Sequence, residues 1–447
     1  MTSLFRFAAL ASVLAPISLK AGDVEKLAAA LNNEGAAEYN SAQYARAVSS
    51  LKRSLGLWEQ SGGVDSDAYA ATLNNLAAVY RAQARYSDAE RLYLKALDVR
   101  RRNGRDGSAE NAAVLHNLAR LYVAMGRYDR AETTAREALA IRRRTVGAND
   151  MPVAETINLL GVIAQSTGRI REAIALYQEA LQMNEHAAKR PDVHVAETLM
   201  NLGSACRVWG DLKAADQYLH RAIEFLEPGA SNRELLATAL NDMGLLLRKE
   251  GNSRGAAQLF ERALSVWKEM AGTNGPEYAL ILSNLGLTYE DRHDFGKARA
   301  LYLEALRIHE EKLGPDSSDT GSDLIKLGEL ALRMHQDAEA QKFFEQAVER
   351  EKRRGGTPTS VTGFAEADLG MIAARHKHIV PAEELLADAV KNLQATTASE
   401  NARLIDIFEQ YAAVLRQERH FAEAEQAELN AMRIRVRIAE GEAHRPS

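Results

Sequence analysis

The sequence predicts an all-α protein built as an α-solenoid of about ten helical hairpins. Three observations carry that expectation. The first is a column of alanines at Ala47, Ala89, Ala131, Ala173, Ala215, Ala256, Ala298, Ala340, Ala382 and Ala424, spaced 42 residues apart except for one interval of 41. The second is a pair of small-residue columns locked to it. Seven residues after the alanine stands Ala96 or its counterpart, and twelve before it stands Gly35, Ala77, Ala119, Gly161, Gly203, Gly244, Gly286, Gly328, Gly370 or Ala412. The third is composition: 9 prolines in 447 residues, with Ala, Leu, Glu and Arg plentiful, favour helix throughout. Self-similarity at a period of about 20–50 residues marks a stacked array.

The protein begins with Arg6 ahead of a short apolar run over residues 7–15, then Pro16, Ala21 and the polar Asp23. This pattern matches a secretory signal over residues 1–21, cut after Ala21. The run is shorter than the ~20 residues of a membrane-spanning helix, so no integral span is expected. An uncleaved amphipathic first helix is the alternative. Repeats then fill residues 23–441, beginning at 23, 65, 107, 149, 191, 232, 274, 316, 358 and 400, with a tail at 442–447.

Inside a repeat, apolar residues recur every three or four positions, the helical period. In residues 75–97 the turn falls near Arg85 and Tyr86, and Ser87 or Asp88 is a start signal for the second helix. Leu76, Tyr80, Tyr86 and Leu92 are expected to fill the space around Ala77, Ala89 and Ala96. The basic runs 100–102, 142–144 and 352–354 close second helices, where they complement the helix dipole as solvated ends. Cys206, Trp209 and Trp267 are expected to pack, and Trp58 to be partly exposed.

Several classes are excluded. Cys206 is the single cysteine, which rules out an intramolecular disulfide and a cysteine zinc cluster. A net charge of −5 gives no electrostatic footprint for nucleic acid. Gly355 and Gly356 read as an inter-repeat turn rather than a phosphate loop, and His376 with His378 as surface histidines at a turn rather than metal ligands. No catalytic constellation is found, and neither enzyme activity nor a cofactor is expected.

The segment Asn117 to Ala131, with Leu118, Tyr122, Gly126 and Tyr128, resembles the tetratricopeptide repeat in its 42-residue kinesin light chain form. The motif recurs at Asn201, Gly203 and Gly210, and from Asn284 to Tyr289 with Ala298 to Ile308. The resemblance implies a right-handed superhelix whose first helices line a concave groove, and a protein or peptide partner. The sequence departs from the family at the turn. Glycine stands there only at Gly126, Gly168, Gly210 and Gly251; Ala42, Ala84, His293, His335, Lys377 and Arg419 replace it elsewhere, in turns that avoid or tolerate a left-handed backbone.

Two and three residues before the small column lie Asn74, Asn75, Asn117, Asn158, Asn201, Asn241 and Asn284. Asparagine is a weak helix former. On groove-lining helices these amides make sense as holders of an extended peptide backbone; the other reading is that they bond between adjacent hairpins. Arg81, Arg207 and Arg248 stand four residues after the small column and Arg120 one after it. Their forks suit carboxylates, so an acidic peptide or the C-terminal carboxylate of a partner is the ligand expected for the early groove. Glu290, Glu329 and Glu409 make the later groove mixed or acidic. The function expected is an exported, non-enzymatic scaffold, with a cytosolic adaptor as the alternative. The last helix, with Ala424, Ala427, Ala431 and Ile434 on its outer face, is left to fray, self-associate or receive a partner.

Overall fold

The computed structural model describes residues 21–41, 43–145, 147, 150–187, 193–227, 232–354, 359–396 and 402–443. The export signal expected over residues 1–21 lies outside them apart from Ala21, as do Ala42, the turn at 355–358 and the end of the tail. Twenty α-helices and no strand occur among the described residues. Contacts gather the protein into two compact units, residues 1–163 and 164–447.

In the first unit α1 (Ala21–Asn40) is followed by α2 (Tyr44–Gln60), α3 (Asp67–Ala82) by α4 (Tyr86–Arg102), and α5 (Ala109–Ala124) by α6 (Tyr128–Thr145). Most of α7 (Met151–Ser166) completes it. The second unit runs through α8 (Ile170–Ala187), α9 (Val193–Trp209), α10 (Leu212–Leu226), α11 (Arg233–Lys249), α12 (Ser253–Ala271), α13 (Pro276–Asp291) and α14 (Phe295–Leu313). It ends with α15 (Ser318–Arg333), α16 (Asp337–Arg354), α17 (Ser360–Arg375), α18 (Ile379–Thr396), α19 (Arg403–Gln417) and α20 (Phe421–Ala443).

Within each unit first helices pack on the second helices of their hairpins, and second helices pack on the next first helices. First helices also touch their successors, α1 on α3, α3 on α5, α9 on α11, α11 on α13, α15 on α17 and α17 on α19. Within each unit this brings the first helices onto one face.

Local chemistry sets the helix starts. Ser66, Ser108, Ser317 and Thr359 precede first helices, and each side chain accepts the backbone N–H three residues on. That satisfies one of the donors a helix start leaves orphaned. The second helices α10, α12 and α14 open in the same way on Asp211, Asn252 and Asp294, whereas α4 begins differently. The cap of α4 is Arg85, ahead of the expected Ser87 or Asp88; it makes no side-chain cap and instead pairs with Asp88 at 2.6 Å. The backbone has already reversed at Ala84, whose φ is 56°. His293, His335, Lys377 and Arg419 also adopt positive φ, so the described turns without glycine tolerate the left-handed backbone.

The small column exists because a bulky side chain of the second helix lies over it. A Cβ at Gly286 would stand 2.5 Å from Tyr302 Cε1, and one at Gly328 2.5 Å from Phe344 Cε1. The overlying column, four residues after the alanines, contains Leu51, Tyr93, Tyr177, Leu219, Phe260, Tyr302, Phe344 and Leu386, all fully buried.

Three expectations are corrected. Arg100 and Arg142 are not solvated helix ends: they are 3% and 7% exposed, while Arg101, Arg102, Arg143 and Arg144 face solvent. Both sit eleven residues after the alanine column, where the following hairpin covers the second helix. Arg142 donates to Thr156 Oγ1 at 2.8 Å and to the Pro152 carbonyl there. Trp58 is buried rather than partly exposed. On α20, Ala424, Ala427, Ala431 and Ile434 face inward against α19, in a core with Leu404, Phe408 and Leu415. The close-packing columns serve the hairpin itself in the last repeat as in the others. The exposed apolar residues of α20 are Phe421, Leu429, Met432 and Val436.

Candidate peptide-binding face

The asparagine ladder runs along the first helices, in their middles, and it is bonded across hairpins. Asn75 Nδ2 donates to Asn32 Oδ1 at 2.9 Å, Asn117 Nδ2 to Asn74 Oδ1 at 3.0 Å, and Asn284 Nδ2 to Asn241 Oδ1 at 2.8 Å. Within α3, Asn74 Nδ2 donates to Asn75 Oδ1 at 3.3 Å, so Asn117, Asn74, Asn75 and Asn32 form one directional relay over three hairpins. Asn158 and Asn201 are engaged within the protein as well. The ladder therefore stitches neighbouring first helices together. Each amide has two N–H donors and an oxygen with two lone pairs, so the half-buried members keep capacity facing outward.

The four arginines divide. Arg248 is held by Asp291 of the next hairpin through two bonds, Nε to Oδ2 at 2.6 Å and Nη2 to Oδ1 at 3.2 Å. Arg207 stands by Asp242, whose carboxyl burial raises to about 6 while the Arg207 charge pulls it back down. Arg248 is thus neutralised within the second unit, while Arg207 only lies in the field of a carboxylate there. In the first unit Arg81 lies 3.4 Å from the Tyr39 hydroxyl and also bonds the Tyr93 hydroxyl, and Arg120 is exposed. Neither has a carboxylate within ion-pair distance among the described residues. Their charge is felt nearby: the buried His116 is driven well below its ordinary pKa by burial first, then by Arg142, Arg120 and Arg81.

The acids of the later first helices are also matched internally. Glu290 accepts from Arg333 at 2.7 Å and from the Tyr302 hydroxyl at 2.9 Å. Arg403, at the start of α19, reaches Glu329 of α15 and, at 2.7 Å, Asp368 of α17, with its guanidinium 4.5 Å from the Phe364 ring centre. Glu409 is paired with Arg435. The face that carries uncompensated positive charge is thus the N-terminal one, around Arg81 and Arg120.

The tetratricopeptide repeat signature matches residues 26–102, 110–186, 194–269, 235–311 and 277–353, well over half of the protein. The chain belongs to the tetratricopeptide repeat family. No curated protein matches it. Among solved structures, the apo form of the quorum sensor NprR from B. thuringiensis is similar at TM-score 0.56 and 16% identity, covering 71% of this protein and 87% of that one. The apo form of RapI is similar at TM-score 0.53 and 13% identity, over 83% of this protein and 99% of that one. A putative kinesin light chain from Podospora anserina with nearly identical repeats shares 16% identity over 45% of this protein and 97% of its own length, at TM-score 0.39.

Within this tetratricopeptide array the other sequence candidates fall into place. Cys206 is buried, and burial pushes its thiol up to about 11. His376 and His378 are exposed, His376 lying 3.3 Å from Asp337, and no metal-ligand cluster occurs among the described residues. No helix there is long and apolar enough to cross a membrane.

The sequence reading missed Tyr93. In its column, the Tyr177 hydroxyl donates to Gln165 Oε1 at 3.0 Å and the Tyr302 hydroxyl to Glu290 Oε2 at 2.9 Å. Gln165 and Glu290 occupy the position four after the small column, which in this repeat is Arg81. Tyr93 is 0% exposed, and its hydroxyl meets the Arg81 guanidinium, a donor, where Tyr177 and Tyr302 meet acceptors. Reading the two columns against each other would have found a tyrosine placed opposite a residue that cannot accept.

Proposed function

We propose that this tetratricopeptide protein is a non-enzymatic scaffold that binds an acidic peptide segment of a partner along the first helices of its N-terminal hairpins. The observation that carries the reading is the pair Arg81 and Arg120, left without carboxylates beside a ladder of amides, whereas Arg248 is neutralised by Asp291. A likeness at 16% identity shows the fold alone, so support for the ligand comes from the face itself. Arginine forks hold carboxylates, and the amides hold the peptide backbone.

The test is fluorescence anisotropy with labelled oligoglutamate and oligolysine peptides on the wild type and on Arg81→Glu/Arg120→Glu. Oligoglutamate should bind selectively, weaken with salt, and lose at least about tenfold affinity in the folded double variant. Equal affinity in that variant sinks the reading.

Export belongs to the same proposal, supported by the charge, apolar run and breaker of residues 1–21. Sequencing the N-terminus of protein from its host reads it directly. A polypeptide starting at or near Gly22 supports export, whereas retained residues 1–21 leave a cytosolic adaptor. Self-association through α20 is also proposed. Leu139, Leu181, Ile223, Leu306 and Val348 occupy one buried column, yet its last member, Met432, is 60% exposed. Light scattering at high concentration should show a dimer, and a monomer there removes the idea.

A further inference from the structure

We propose that Asn274 is a site of spontaneous covalent modification, losing its side-chain amide to attack by the Gly275 backbone nitrogen, while the same dipeptide at Asn103 and Gly104 is held unreactive by the fold. No ligand is involved, so the reaction proceeds whatever partner the first helices take.

The chemistry belongs to the pair of residue types. The Gly275 nitrogen bonds to Asn274 Cγ, the Cγ–Nδ2 bond breaks, and the glycine amide proton leaves with the departing nitrogen as ammonia. Water then opens the resulting cyclic imide at either carbonyl. One product is aspartate; the other is isoaspartate, in which the main chain runs through the side-chain carboxyl. Glycine favours the attack because no Cβ crowds its nitrogen and its backbone turns freely. The sequence places glycine directly after asparagine twice, at Asn103 and at Asn274, and both asparagines are exposed. By residue type and exposure the two are equal.

The structure separates them. Asn103 is the cap residue at the end of α4. Its backbone N–H donates to the Arg100 carbonyl at 3.2 Å, its Nδ2 to the Asp65 carbonyl, and the Gly104 N–H to the Arg101 carbonyl at 3.0 Å. The amide and its attacking nitrogen are thus both engaged, with Gly104 held at φ 66°. Asn274 lies between α12 and α13, just past the reversal at Gly272, where φ is 81°. Among the described residues Thr273, the Asn274 side chain and the Gly275 N–H make no hydrogen bond. This hairpin also lacks a device that its siblings use. Gly275 stands where Ser66, Ser108, Ser317 and Thr359 cap first helices, and α13 begins with no side-chain cap. Exposed backbone without such bonds opens at the least cost, so thermal motion brings the Gly275 nitrogen to Asn274 Cγ.

The product changes the hairpin's charge at a particular place. Asp65 and Asp316 are the counterparts of Asn274, and they lie 3.1 Å from Arg102 and 3.4 Å from Arg353 of their own second helices. The residue at that position in α14 is Glu311, so the new carboxylate enters a site of its own sign.

The test holds the full-length protein at neutral pH and body temperature, either folded or in urea. Its peptides are then mapped by mass spectrometry with separation of aspartate from isoaspartate. The rate at Asn274 relative to Asn103 should be severalfold higher in the folded protein than in urea, with both products formed at Asn274. Gly275→Ala should slow conversion at Asn274 severalfold. That variant keeps the fold, because φ at this residue is −123° and an added Cβ meets only Glu277 Oε2, at 3.6 Å. A relative rate that is the same folded and unfolded overturns the proposal. So does a folded protein in which Asn103 converts first or Asn274 stays intact, and so does an unchanged rate in folded Gly275→Ala.

Discussion

Gly286 and Gly56 are both helical glycines, and their surroundings give them opposite sensitivities. At Gly56, in α2, an added Cβ meets nothing within 4 Å, and Gly56→Ala should stabilise by about 0.5–1 kcal/mol through the entropy glycine otherwise loses. At Gly286 the same methyl would lie 2.5 Å from the Tyr302 ring, which is itself fully buried and cannot retreat. Overpacking then outweighs the entropy gain, and Gly286→Ala should destabilise by about 1–3 kcal/mol in urea unfolding. Equal effects at the two sites would refute the role given to the small column. The turn residues make a complementary case. Ala84 holds φ 56° with its side chain exposed, a conformation that disfavours any Cβ. Ala84→Gly should therefore gain about 0.5–1 kcal/mol, the relieved strain exceeding glycine's larger unfolded-state entropy.

Between elements, stability and specificity meet at the end of the second helix. Eleven residues after the alanine column, Arg142, Asn184 and His309 each reach a residue of the following hairpin: Thr156 at 2.8 Å, Thr198 at 3.3 Å and Asp323 at 2.5 Å. Other repeats place Leu226, Trp267 and Leu393 there. A wrongly paired junction would bury unpartnered polar groups, so these contacts favour the native order of hairpins. The His309 junction carries a pH signature. Its Nδ1 faces the Asp323 carboxylate and its Nε2 the Pro276 carbonyl at 3.1 Å, so both nitrogens are donors and the ring is charged. Burial alone would lower its pKa, but the Asp323 bond and charge and the Pro276 carbonyl outweigh burial and raise it above the ordinary 6.5. A raised value means that the charged ring binds its proton more tightly folded than unfolded. Its contribution is fully present below pH 6.5 and fades as pH rises through the folded value. Urea midpoints of wild type and His309→Gln should converge toward alkaline pH, and a constant difference across pH would refute the charged pair. Asp323→Asn, which strands a buried cation, should cost about 3–5 kcal/mol.

Across the whole molecule, an array held by neighbour contacts unfolds less cooperatively than a single core. Trp58 reports on the first unit and Trp267 on the second. In single-tryptophan variants that retain one or the other, Asp323→Asn should lower the Trp267 midpoint more than the Trp58 midpoint. Equal shifts would mean that the protein melts as one body.

The repeat architecture, helix pairing and small columns were legible in the sequence. Each position recurs in successive hairpins, and local helical period together with close packing demands the same residue type each time. The sequence alone thus determined that this protein forms stacked helical hairpins and that Asn74, Asn75, Asn117, Arg81 and Arg120 share their first-helix positions. It did not determine which of those groups are already engaged. That depends on residues about 43 positions away: Asn117 finds Asn74, Arg248 finds Asp291, and Arg81 finds the Tyr39 hydroxyl rather than a carboxylate. Only the tertiary structure, by setting each hairpin against its neighbour, decided that Arg142 is buried and that Arg248 is neutralised. A column shows what one repeat contains, whereas bonding is settled by the particular pair that packing brings within about 3 Å.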